Sequence, residues 1–454
     1  MRVLNVFTRF HATDGIATHT VDLSEALSFA ACEVSFLSGM VDFTEETKWK
    51  VARLENTCKS FQVDPRLVGG GGVHSFRNAV SAFRDHVKSE DPDVIHMHGR
   101  ALWPVAKALR LLRILPPCIT TVHQEPESSL YIVDRLAGRL FCSDRVIAIS
   151  SDMKKPLSQK MGIPGGRIDV VPHGVNVTYF RPPSVDEKRA ARARFGLPET
   201  GPVACYLGRF STYKGIDTVI KGVAEAVKEC PNLRMIIAGE GHEQPSLERL
   251  VEELNLKDNI DFLGRQSPRA VCWAADFILL GSTREGFALS IVEAMACGAV
   301  PLRTPSAGAA DQIKHGVNGY IFPFWDFETL GKQLIELCKN EPLREKLAKG
   351  ALHTAPNNVL WDGNGEGHYE GLSARDGVSF ESIIAPSTLP LRRAAARATR
   401  FGSPACFCLA SQRGVKRLDC EPPRILRRRW VRRTILILCA ICFGGRTAVA
   451  LVLN

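Results

Sequence analysis

The apolar stretch STREGFALSIVEAMACG, residues 282–298, contains two glutamates. A carboxylate buried in such a segment needs a partner, because burying an unpaired charge is costly. Glu285 lies in a turn-forming segment, and Glu293 follows in an apolar helical pattern. A helix would separate them by about 12 Å along its axis. A pair acting as acid and base on one bond needs roughly 5 to 10 Å between carboxyl groups. The spacing therefore favours two ends of one extended ligand, although Glu293 could instead pair with a cation or a helix end.

Two cations, Arg209 and Lys214, flank a short loop in the stretch YLGRFSTYKGID. The pattern predicts a strand that ends at Leu207 and a helix that begins just after Lys214. Cationic side chains at a helix N-terminus suit a diphosphate, because the helix dipole and free N–H groups add to their charges. The alternative is two solvated surface charges, and local spacing does not separate these interpretations.

The predicted helix of residues 288–297 begins beside Glu285, and its first amide N–H groups have no partner within the helix. Such amides form an anion site at the carboxyl edge of a sheet. The residues that would supply or border this site are Gly286, Phe287, Ala288 and Leu289.

His123 and Gly15 are the candidates in the first half of the chain. His123 follows the predicted strand CITTV, where an imidazole could hydrogen-bond a hydroxyl or a phosphate, but a histidine there is often structural. Gly15 precedes a predicted helix, and a glycine at that place allows close approach of a ligand. An ordinary strand-to-helix turn explains Gly15 equally well.

These residues fall into a regular alternation of short apolar runs and amphipathic stretches between Met1 and Phe324. The alternation predicts α/β domains in which helices cover both faces of a parallel sheet. Ligands bind such sheets beyond the carboxyl ends of the strands, where the candidate residues lie. The predicted strands are RVLNVF, EVSFLS, DVIHMHG, CITTVH, RVIAIS, DVVPHG, PVACYLG, RMIIAG, IDFLG, ADFILLG and AVPLRT.

The proline-rich segment RPPSVDEKRAARARFGLPETGP interrupts this alternation once. It predicts a linker, and hence a cleft between two doubly wound domains. We expect a first domain over residues 1–180, the linker over 181–202 and a second domain over 203–345. Residues 373–454 are rich in Arg, Ala, Ser and Pro, and we expect a disordered basic tail there.

The net charge of +10 belongs to that tail. Residues 373–454 hold 15 Lys and Arg against 4 Asp and Glu, whereas residues 1–372 hold 43 against 44. The charge of the folded part therefore gives no reason to expect nucleic acid as a partner. The fourteen cysteines have neither disulfide nor zinc spacing, and we do not expect MRVLNVF to be a signal peptide, because it lacks a long apolar core. We expect reduced thiols, no metal and a cytoplasmic protein.

The tail closes with six arginines in residues 424–433 and a run at 434–453 that is apolar apart from Arg446 and two threonines. The run is long enough to span a bilayer, but a central arginine opposes insertion. One interpretation is an anchor at the cytoplasmic face of a membrane. The other is a disordered extension, or the product of altered splicing or a reading-frame change.

Several motifs resemble those of family 4 glycosyltransferases in order and spacing. In the second half they are LGR, KGID, AGEG, DNIDFLG, EGFALSIVEAMACG and HGVNGYIFP, and upstream they are DVIHMHG, VIAIS and VVPHGVN. The resemblance covers most of residues 1–324. It implies the GT-B fold, in which two Rossmann-like domains face each other across a cleft. It also implies transfer of a sugar from a nucleotide-diphosphate sugar to a hydroxyl acceptor, with retention of anomeric configuration and without a metal or other cofactor.

For the second domain, the resemblance implies that Arg209 and Lys214 contact the donor diphosphate, while Glu293 binds the ribose hydroxyls. Glu285 and the amides of residues 286–288 would hold the donor sugar and its phosphates. The candidates thus divide into groups for the diphosphate, the sugar and the ribose.

For the first domain, the resemblance places His123 near the transferred sugar and Gly15 beneath the diphosphate. The acceptor, a glycan, a lipid-linked sugar or a small molecule, would also lie on this side. The family ends with a helix that crosses back to the first domain, and residues 346–372 correspond to it. Departures from the family pattern at Asp14, Gln124 and this helix leave a catalytically silent nucleotide-sugar-binding protein open. A GT-B-like sugar-nucleotide epimerase is the other alternative.

Overall fold

The chain is described by a computed structural model with side chains. It describes the following residues: 1–12, 15–45, 47–68, 73–124, 131–355 and 359–361. Asp14, the end of the predicted crossover segment and the whole predicted tail lie outside these ranges.

The first domain is built on a parallel sheet. In chain order its strands are β1 Arg2–Phe7, β2 Phe10–His11, β3 Glu33–Ser38, β4 Val41–Asp42, β5 Ser60–Val63, β6 Val94–His98, β7 Cys118–Val122, β8 Arg145–Ala148, β9 Ile168–Val170 and β10 Val175–Asn176. Seven of them form the sheet, in the order β5-β3-β1-β6-β7-β8-β9, while β2 pairs with β4. Six helices connect the strands: α1 Gly15–Phe29, α2 Lys48–Thr57, α3 Val73–Glu90, α4 Trp103–Leu111, α5 Tyr131–Phe141 and α6 Ser151–Gln159.

The second domain has the same construction. Its strands are β11 Val203–Leu207, β12 Arg234–Ala238, β13 Ile260–Gly264, β14 Phe277–Leu280, β15 Val300–Arg303 and β16 Tyr320–Ile321. They form one parallel sheet in the order β13-β12-β11-β14-β15-β16. The helices that follow the first domain are α7 Val185–Arg194, α8 Ile216–Val227, α9 Gln244–Glu253, α10 Pro268–Ala274, α11 Leu289–Ala296, α12 Ala309–Gln312, α13 Phe327–Lys339 and α14 Glu341–Thr354.

The sequence forms these layers because its apolar runs suit strands that are buried on both faces. The four residues of β14, Phe-Ile-Leu-Leu, are all buried, as expected when helices cover both sides of a parallel sheet. In α8, buried residues recur at helical spacing, and this face packs on α13. Gly222 allows the two helices to approach, because a Cβ there would lie 2.6 Å from a methyl group of Leu330. The predicted doubly wound α/β architecture is therefore confirmed.

The predicted linker contains the helix α7, which is bound to the second domain. Ser184 and Glu187 form a capping box that starts the helix. Arg192 is buried and donates to the carboxylate of Asp276 at 2.8 Å and to the carbonyl of Ala274 at 3.1 Å. A charged helix is thus held against α10 and the start of β14 by a paired, shielded guanidinium.

The chain returns to the first domain after α14. Strand β17, Val359–Trp361, pairs in parallel with β10. The expected crossover helix over residues 346–372 is therefore wrong for residues 359–361, which are extended. Val-Leu-Trp suits a strand better than a helix. Residues 356–358 and 362–372 lie outside the described part of the chain.

Candidate functional site

The loops that follow β11 and β14 meet because these two strands are neighbours in the second sheet. Lys214 closes the first loop and Glu285 lies in the second. Nζ of Lys214 donates to Oε1 of Glu285 at 2.6 Å, and the two side chains are only 19% and 10% exposed. A charge-assisted hydrogen bond that is largely shielded from water is stronger than a surface ion pair. Two residues that the sequence suggested separately thus form one unit.

Backbone contacts between the same loops hold this ion pair in place. Gly215 has the left-handed φ of 59°, and a Cβ there would lie 2.1 Å from the carbonyl oxygen of Gly281. The carbonyl of Tyr213 accepts from the amide of Thr283 at 2.8 Å and from the hydroxyl of Ser282 at 3.1 Å. Only glycine fits at 215, because a side chain would be strained there and would also separate the loops.

Arg209 lies at the start of the first loop. Its backbone carbonyl accepts a hydrogen bond of 3.0 Å from the hydroxyl of Tyr206, which is fully buried. This bond joins the backbone of the loop to the end of β11. The predicted contact of Arg209 with a diphosphate stays a prediction.

Glu293 lies on α11 and is buried, with 6% exposure. Within the described ranges its carboxylate has no hydrogen-bond partner. Burial raises its pKa to about 7, nearby Asp22 of α1 adds to the increase, and Lys50 of α2 opposes it. The pKa of Asp22 is itself raised to about 7, mainly by burial. A buried carboxylate that faces the first domain without a hydrogen-bond donor has the capacity to accept one from a ligand.

The Gly-Phe pair before α11 presses against the first domain. A Cβ on Gly286 would lie 2.2 Å from the carbonyl oxygen of His123, so only glycine allows this approach. The ring of Phe287 meets that of His173 edge-on, with 6.0 Å between centroids. The carbonyl of Ala288 accepts from the amide group of Gln312 at 3.0 Å. The loop is thus fixed from both domains.

Gly15 also lies at this contact between the domains. It is the first residue of α1, and a Cβ there would come within 3.6 Å of a methyl group of Leu289, at the start of α11. The predicted glycine turn and the predicted anion site therefore face each other across the cleft.

The first-domain side of the cleft is a cluster of five histidines: His19, His96, His98, His123 and His173. Nε2 of His123 is hydrogen-bonded to Nδ1 of His98 at 3.0 Å, and its Nδ1 to Nε2 of His173 at 3.2 Å. The rings of His19 and His173 have centroids 3.7 Å apart, and those of His96 and His98 4.3 Å apart. Both ring nitrogens of His123, the one histidine singled out from the sequence, are thus engaged within the protein.

Burial keeps these imidazoles neutral. It lowers the pKa of His96 to about 4 and that of His123 to about 3, and it places the pKa values of His19, His98 and His173 well below their usual range. Mutual repulsion of the charged forms adds to the decrease in all but His96. Each neutral ring has one donor and one acceptor nitrogen, so the tautomer of His123 is coupled to those of its two neighbours. In the part of the chain that is described, no three His, Cys, Asp or Glu residues could hold a metal ion.

Arg303, at the end of β15, is a site residue that the sequence analysis missed. It is fully buried, and burial lowers its pKa to about 10. Its guanidinium donates to Oγ and the carbonyl of Ser306 at 2.8 and 3.1 Å, to the carbonyl of Ala307 at 3.2 Å and to Gln312. These bonds hold the loop that leads to Gly308, whose Cβ position lies 3.2 Å from the carbonyl of Gly286. A cation beneath the anion site is thereby satisfied without a carboxylate partner.

Two aspartates join the domains beside this loop. Asp311 accepts from the amide and the hydroxyl of Ser151, at 2.8 and 2.7 Å, and so caps α6 from the other domain. Asp152, in the first domain, accepts from the amide of Gly308 in the second domain at 3.0 Å, so each domain contributes one carboxylate to the contact. We call these residues the aspartate clasp: Ser151, Asp152, Gly308 and Asp311.

Some of these missed residues carry a signal in the sequence. His96 and His98 lie in β6, His123 follows β7, and His173 follows β9. Histidines at the carboxyl ends of neighbouring strands meet at one edge of a parallel sheet. No comparable pattern in the sequence identifies Arg303 or the aspartate clasp, because these residues do not lie at a regular spacing from the residues that they contact.

Two family models match the chain. Residues 13–179 match the model described as "Glycosyltransferase Family 4", and residues 187–354 match the one described as "Glycosyl transferases group 1". Apart from β1 and β2, which precede residue 13, the first match covers the first sheet and its helices, and the second match covers the second sheet. Together the two matches include every candidate residue discussed above.

Named relatives agree with these matches. A D-inositol 3-phosphate glycosyltransferase of Segniliparus rotundus is 29% identical over 50% of this chain and 51% of its own length. An uncharacterized glycosyltransferase of Methanocaldococcus jannaschii is 26% identical over 77% of this chain and 92% of its own. The chain spans about half the length of the curated relatives it matches first.

Among solved structures, the Anabaena protein HepE in complex with UDP and glucose superimposes with a TM-score of 0.65. The match has 20% sequence identity and covers 79% of this chain and 96% of that one. At this identity the likeness concerns the fold alone.

Proposed function

The chain belongs to the family 4, group 1 glycosyltransferases and has their GT-B fold, and on this premise we propose that it transfers a sugar from a nucleotide-diphosphate sugar to a hydroxyl acceptor. The observation that carries the proposal is the shielded Lys214–Glu285 pair, which lies beside a loop that presses on His123. It offers a cation to a diphosphate and a carboxylate to sugar hydroxyls at one place.

The donor would lie along the loops of the second domain. Lys214 and Arg209 would stabilise the negative charge of the leaving diphosphate, together with the amides at the start of α11. Glu285, already fixed by Lys214, would accept from hydroxyls of the donor sugar. Glu293 would accept from the ribose hydroxyls, which would supply the hydrogen bonds that its buried carboxylate lacks.

We propose that the anomeric configuration is retained by attack from the face that the phosphate leaves. The bond between the anomeric carbon and the phosphate oxygen breaks, the acceptor oxygen bonds to that carbon, and the acceptor proton passes to the leaving phosphate. The pairing of Glu285 with Lys214 supports this route, because a carboxylate oxygen that already accepts from an ammonium group is less available to attack the anomeric carbon. We propose no metal or other cofactor, since cationic side chains and amides would neutralise the phosphates.

The acceptor is proposed to be a glycan or a lipid-linked or small-molecule hydroxyl, bound on the side of the first domain. HepE, solved with UDP and glucose, and an S. aureus protein named TarM, solved with fondaparinux, alpha-GlcNAc-glycerol and UDP, support a carbohydrate acceptor. Neither alternative, the epimerase or the silent binder, is favoured, because the matched relatives are named glycosyltransferases.

We propose a cytoplasmic location. The nine cysteines within the described residues are free thiols, which suits a reducing compartment. Among the described residues, no helix combines the length and the apolar character that a bilayer crossing requires. The predicted anchor and the arginines of residues 424–433 lie outside that part of the chain.

The test is a panel of nucleotide-diphosphate sugars added to the purified full chain, with thermal stabilisation and product formation as readouts. Transfer only with an added acceptor supports the proposal. Epimer formation without an acceptor, or stabilisation without any turnover, would replace it with one of the two alternatives. No stabilisation by any member of the panel would overturn the donor site.

The Glu293→Gln variant tests the ribose contact. We expect its dissociation constant for the effective nucleotide sugar to rise about tenfold, because a charged acceptor is replaced by a neutral amide. Glu248→Gln, on the exposed face of α9, is the matched control and should bind like the unchanged protein. Equal affinity of all three proteins would remove Glu293 from the site.

A further inference from the structure

Helix α5 exposes an apolar stripe on the outside of the first domain. Ile132, Leu136 and Leu140 are 80%, 45% and 45% exposed, respectively. They follow each other at intervals of four residues, which places them along one side of a helix. Single exposed apolar residues are ordinary, but an aligned row of them marks an interaction surface.

The end of helix α4 extends this stripe. Leu111 and Leu112 are 65% and 52% exposed. Helices α4 and α5 connect neighbouring strands and pack side by side. Leu111 and Phe141, the last residues of the two helices, line one cavity of about 390 Å³. The cavity lies at the amino ends of β7 and β8, opposite the cleft, and so is separate from the candidate site.

The charges around this apolar surface are mainly positive. Lys107, Arg110 and Arg113 line the cavity, and Arg139 lies seven residues after Ile132 on the same side of α5. Arg110 is paired with Asp144 at 3.3 Å. The other three cations, Lys107, Arg113 and Arg139, have no acidic partner among the described residues. The surface therefore combines exposed apolar side chains with uncompensated positive charge.

We propose that this surface lies on a lipid bilayer that contains anionic lipids. We call it the docking face and define it by two sets of residues: the apolar Leu111, Leu112, Ile132, Leu136 and Leu140, and the basic Lys107, Arg110, Arg113 and Arg139. An amphipathic helix of this kind lies in the plane of the interface, with its apolar side chains at the boundary between headgroups and acyl chains. Long basic side chains at its edge extend to the lipid phosphates.

The charge pattern favours a bilayer over a second copy of the chain. In a two-fold symmetric dimer the same patch faces itself, so the cations of one copy would lie opposite a patch that carries the same cations. Like charges across an interface oppose association, whereas anionic headgroups attract every one of them. The cavity between the helix ends is lined by three basic residues and one carboxylate, Asp144, which pairs with Arg110, so two cations are left to hold a headgroup phosphate.

Docking would also orient the cleft. Helix α5 follows β7, whose carboxyl end leads to His123, and runs back toward the cavity at the opposite edge of the sheet. With α5 in the bilayer surface, the first-domain side of the cleft is held close to the headgroups. If the proposed transfer is correct, a lipid-linked acceptor reaches the site without leaving the membrane. The docking itself does not depend on the proposed function.

The experiment measures binding of the full chain to vesicles of phosphatidylcholine alone and of phosphatidylcholine with about 30% phosphatidylserine. The test variant is Ile132→Ser/Leu136→Ser. The matched control is Val185→Ser/Val317→Ser, which changes two exposed apolar residues at 76% and 48% exposure outside the docking face. We expect binding to the anionic vesicles, a loss of at least about tenfold in the test variant and no loss in the control.

Hydrogen–deuterium exchange separates the docking face from the tail, since it reports on each segment of the bound chain. Anionic vesicles should slow exchange in residues 131–141 but leave α14 unchanged. Binding without slowed exchange in α5, equal binding of both variants, or no binding at all would overturn the proposal. Slowed exchange in α5 that depends on protein concentration and not on vesicles would assign the face to a second copy. Thermal stabilisation by the effective nucleotide sugar should be equal in both variants, which shows that the donor site is unaffected.

Discussion

The two sides of the cleft use opposite kinds of chemistry. The second domain presents charges: the Lys214–Glu285 pair, the buried Arg303 and the carboxylate of Glu293. The first domain presents five imidazoles that burial keeps neutral. Fixed charges suit a ligand with fixed charge, such as a diphosphate, whereas neutral imidazoles suit hydroxyl groups. The difference indicates that the second-domain side suits an anionic ligand and the first-domain side suits a polar, uncharged one.

The largest expected effect comes from breaking the charged side at Lys214. In Lys214→Ala, Glu285 loses the cation that holds it, and the proposed diphosphate loses a charged donor. We expect the rate of transfer to fall roughly 10²- to 10³-fold, as when one donor to a developing negative charge is removed. Lys221→Ala, on the exposed side of α8, is the matched control and should retain the full rate. A variant with the normal kcat would show that the charged side does not serve transfer.

The second prediction concerns the neutral side and its response to acid. Lowered histidine pKa values mean that the unfolded chain binds protons first, so stability falls as the pH drops below about 6.5 toward the folded values. Between pH 7 and 5.5 each buried histidine should cost about 1 kcal/mol. Asp22 and Glu293, with pKa values raised to about 7, act in the opposite sense, because the folded protein binds their protons first. Together they should return about 3 of the roughly 5 kcal/mol that the five histidines cost over this range, which leaves a net loss of about 2 kcal/mol.

Calorimetry at pH 7 and 5.5 measures this loss as a lower unfolding temperature. In His173→Asn the loss of unfolding free energy between pH 7 and 5.5 should be smaller by about 1 kcal/mol, because one buried histidine no longer contributes. Unfolding temperatures that stay constant or rise on acidification would mean that the imidazoles are not held neutral.

The third prediction sharpens the comparison where the two sides touch. Gly286→Ala places a methyl group 2.2 Å from the carbonyl of His123, so the loop or the whole domain must move. A displacement of about 1 Å between groups that act together can cost about 10²-fold in rate. Gly165→Ala is the control, because its Cβ has no atom within 4 Å. Normal transfer by Gly286→Ala would show that this contact is not part of the active arrangement.

The smallest expected effect comes from the aspartate clasp, which belongs neither to the charged groups of the second domain nor to the histidine cluster of the first. Asp311→Asn keeps an acceptor for Ser151 but removes the negative charge from the N-terminus of α6. We expect the affinity for the donor to fall by about 1 kcal/mol, roughly fivefold, if closure of the domains contributes to binding. Asp258→Asn, at an exposed position, should have no effect. An unchanged dissociation constant in Asp311→Asn would separate donor binding from this contact.

The sequence predicts the layered architecture well, because short buried strands and amphipathic helices have distinct periods. Ten of the eleven predicted strands are present at their positions, and the eleventh, DVVPHG, overlaps β9 only at Asp169 and Val170. Short strands such as Phe10–His11 and Val175–Asn176 have two residues each, and no periodicity can be seen in so few. The strand at residues 359–361 forms through pairing with a distant segment, which local pattern does not reveal.

In the candidate site too, local sequence patterns predict some features and not others. Lys214, Glu285 and Glu293 were identified from local patterns, because charges next to helix starts and within apolar helices are conspicuous. The bond between Lys214 and Glu285 was not, since 71 residues separate them. Only His123 of the five histidines was predicted, although His96 and His98 lie in β6 and His173 follows β9, strands of the same sheet. His19 lies in α1 and carries no such signal. Their assembly depends on strand order, which the sequence analysis did not predict.

The parallel pairing of β17 with β10 determines which half of the protein carries whatever follows residue 361. The chain leaves the second domain after α14 and is attached to the first domain by this strand. A group attached at this strand would therefore move with the first domain in any relative motion of the two domains, although the second domain precedes it in the chain. A fluorophore at residue 361 and another on α9 would therefore report any hinge motion between the domains as a change in distance, whereas a fluorophore pair on α3 and at residue 361 would not.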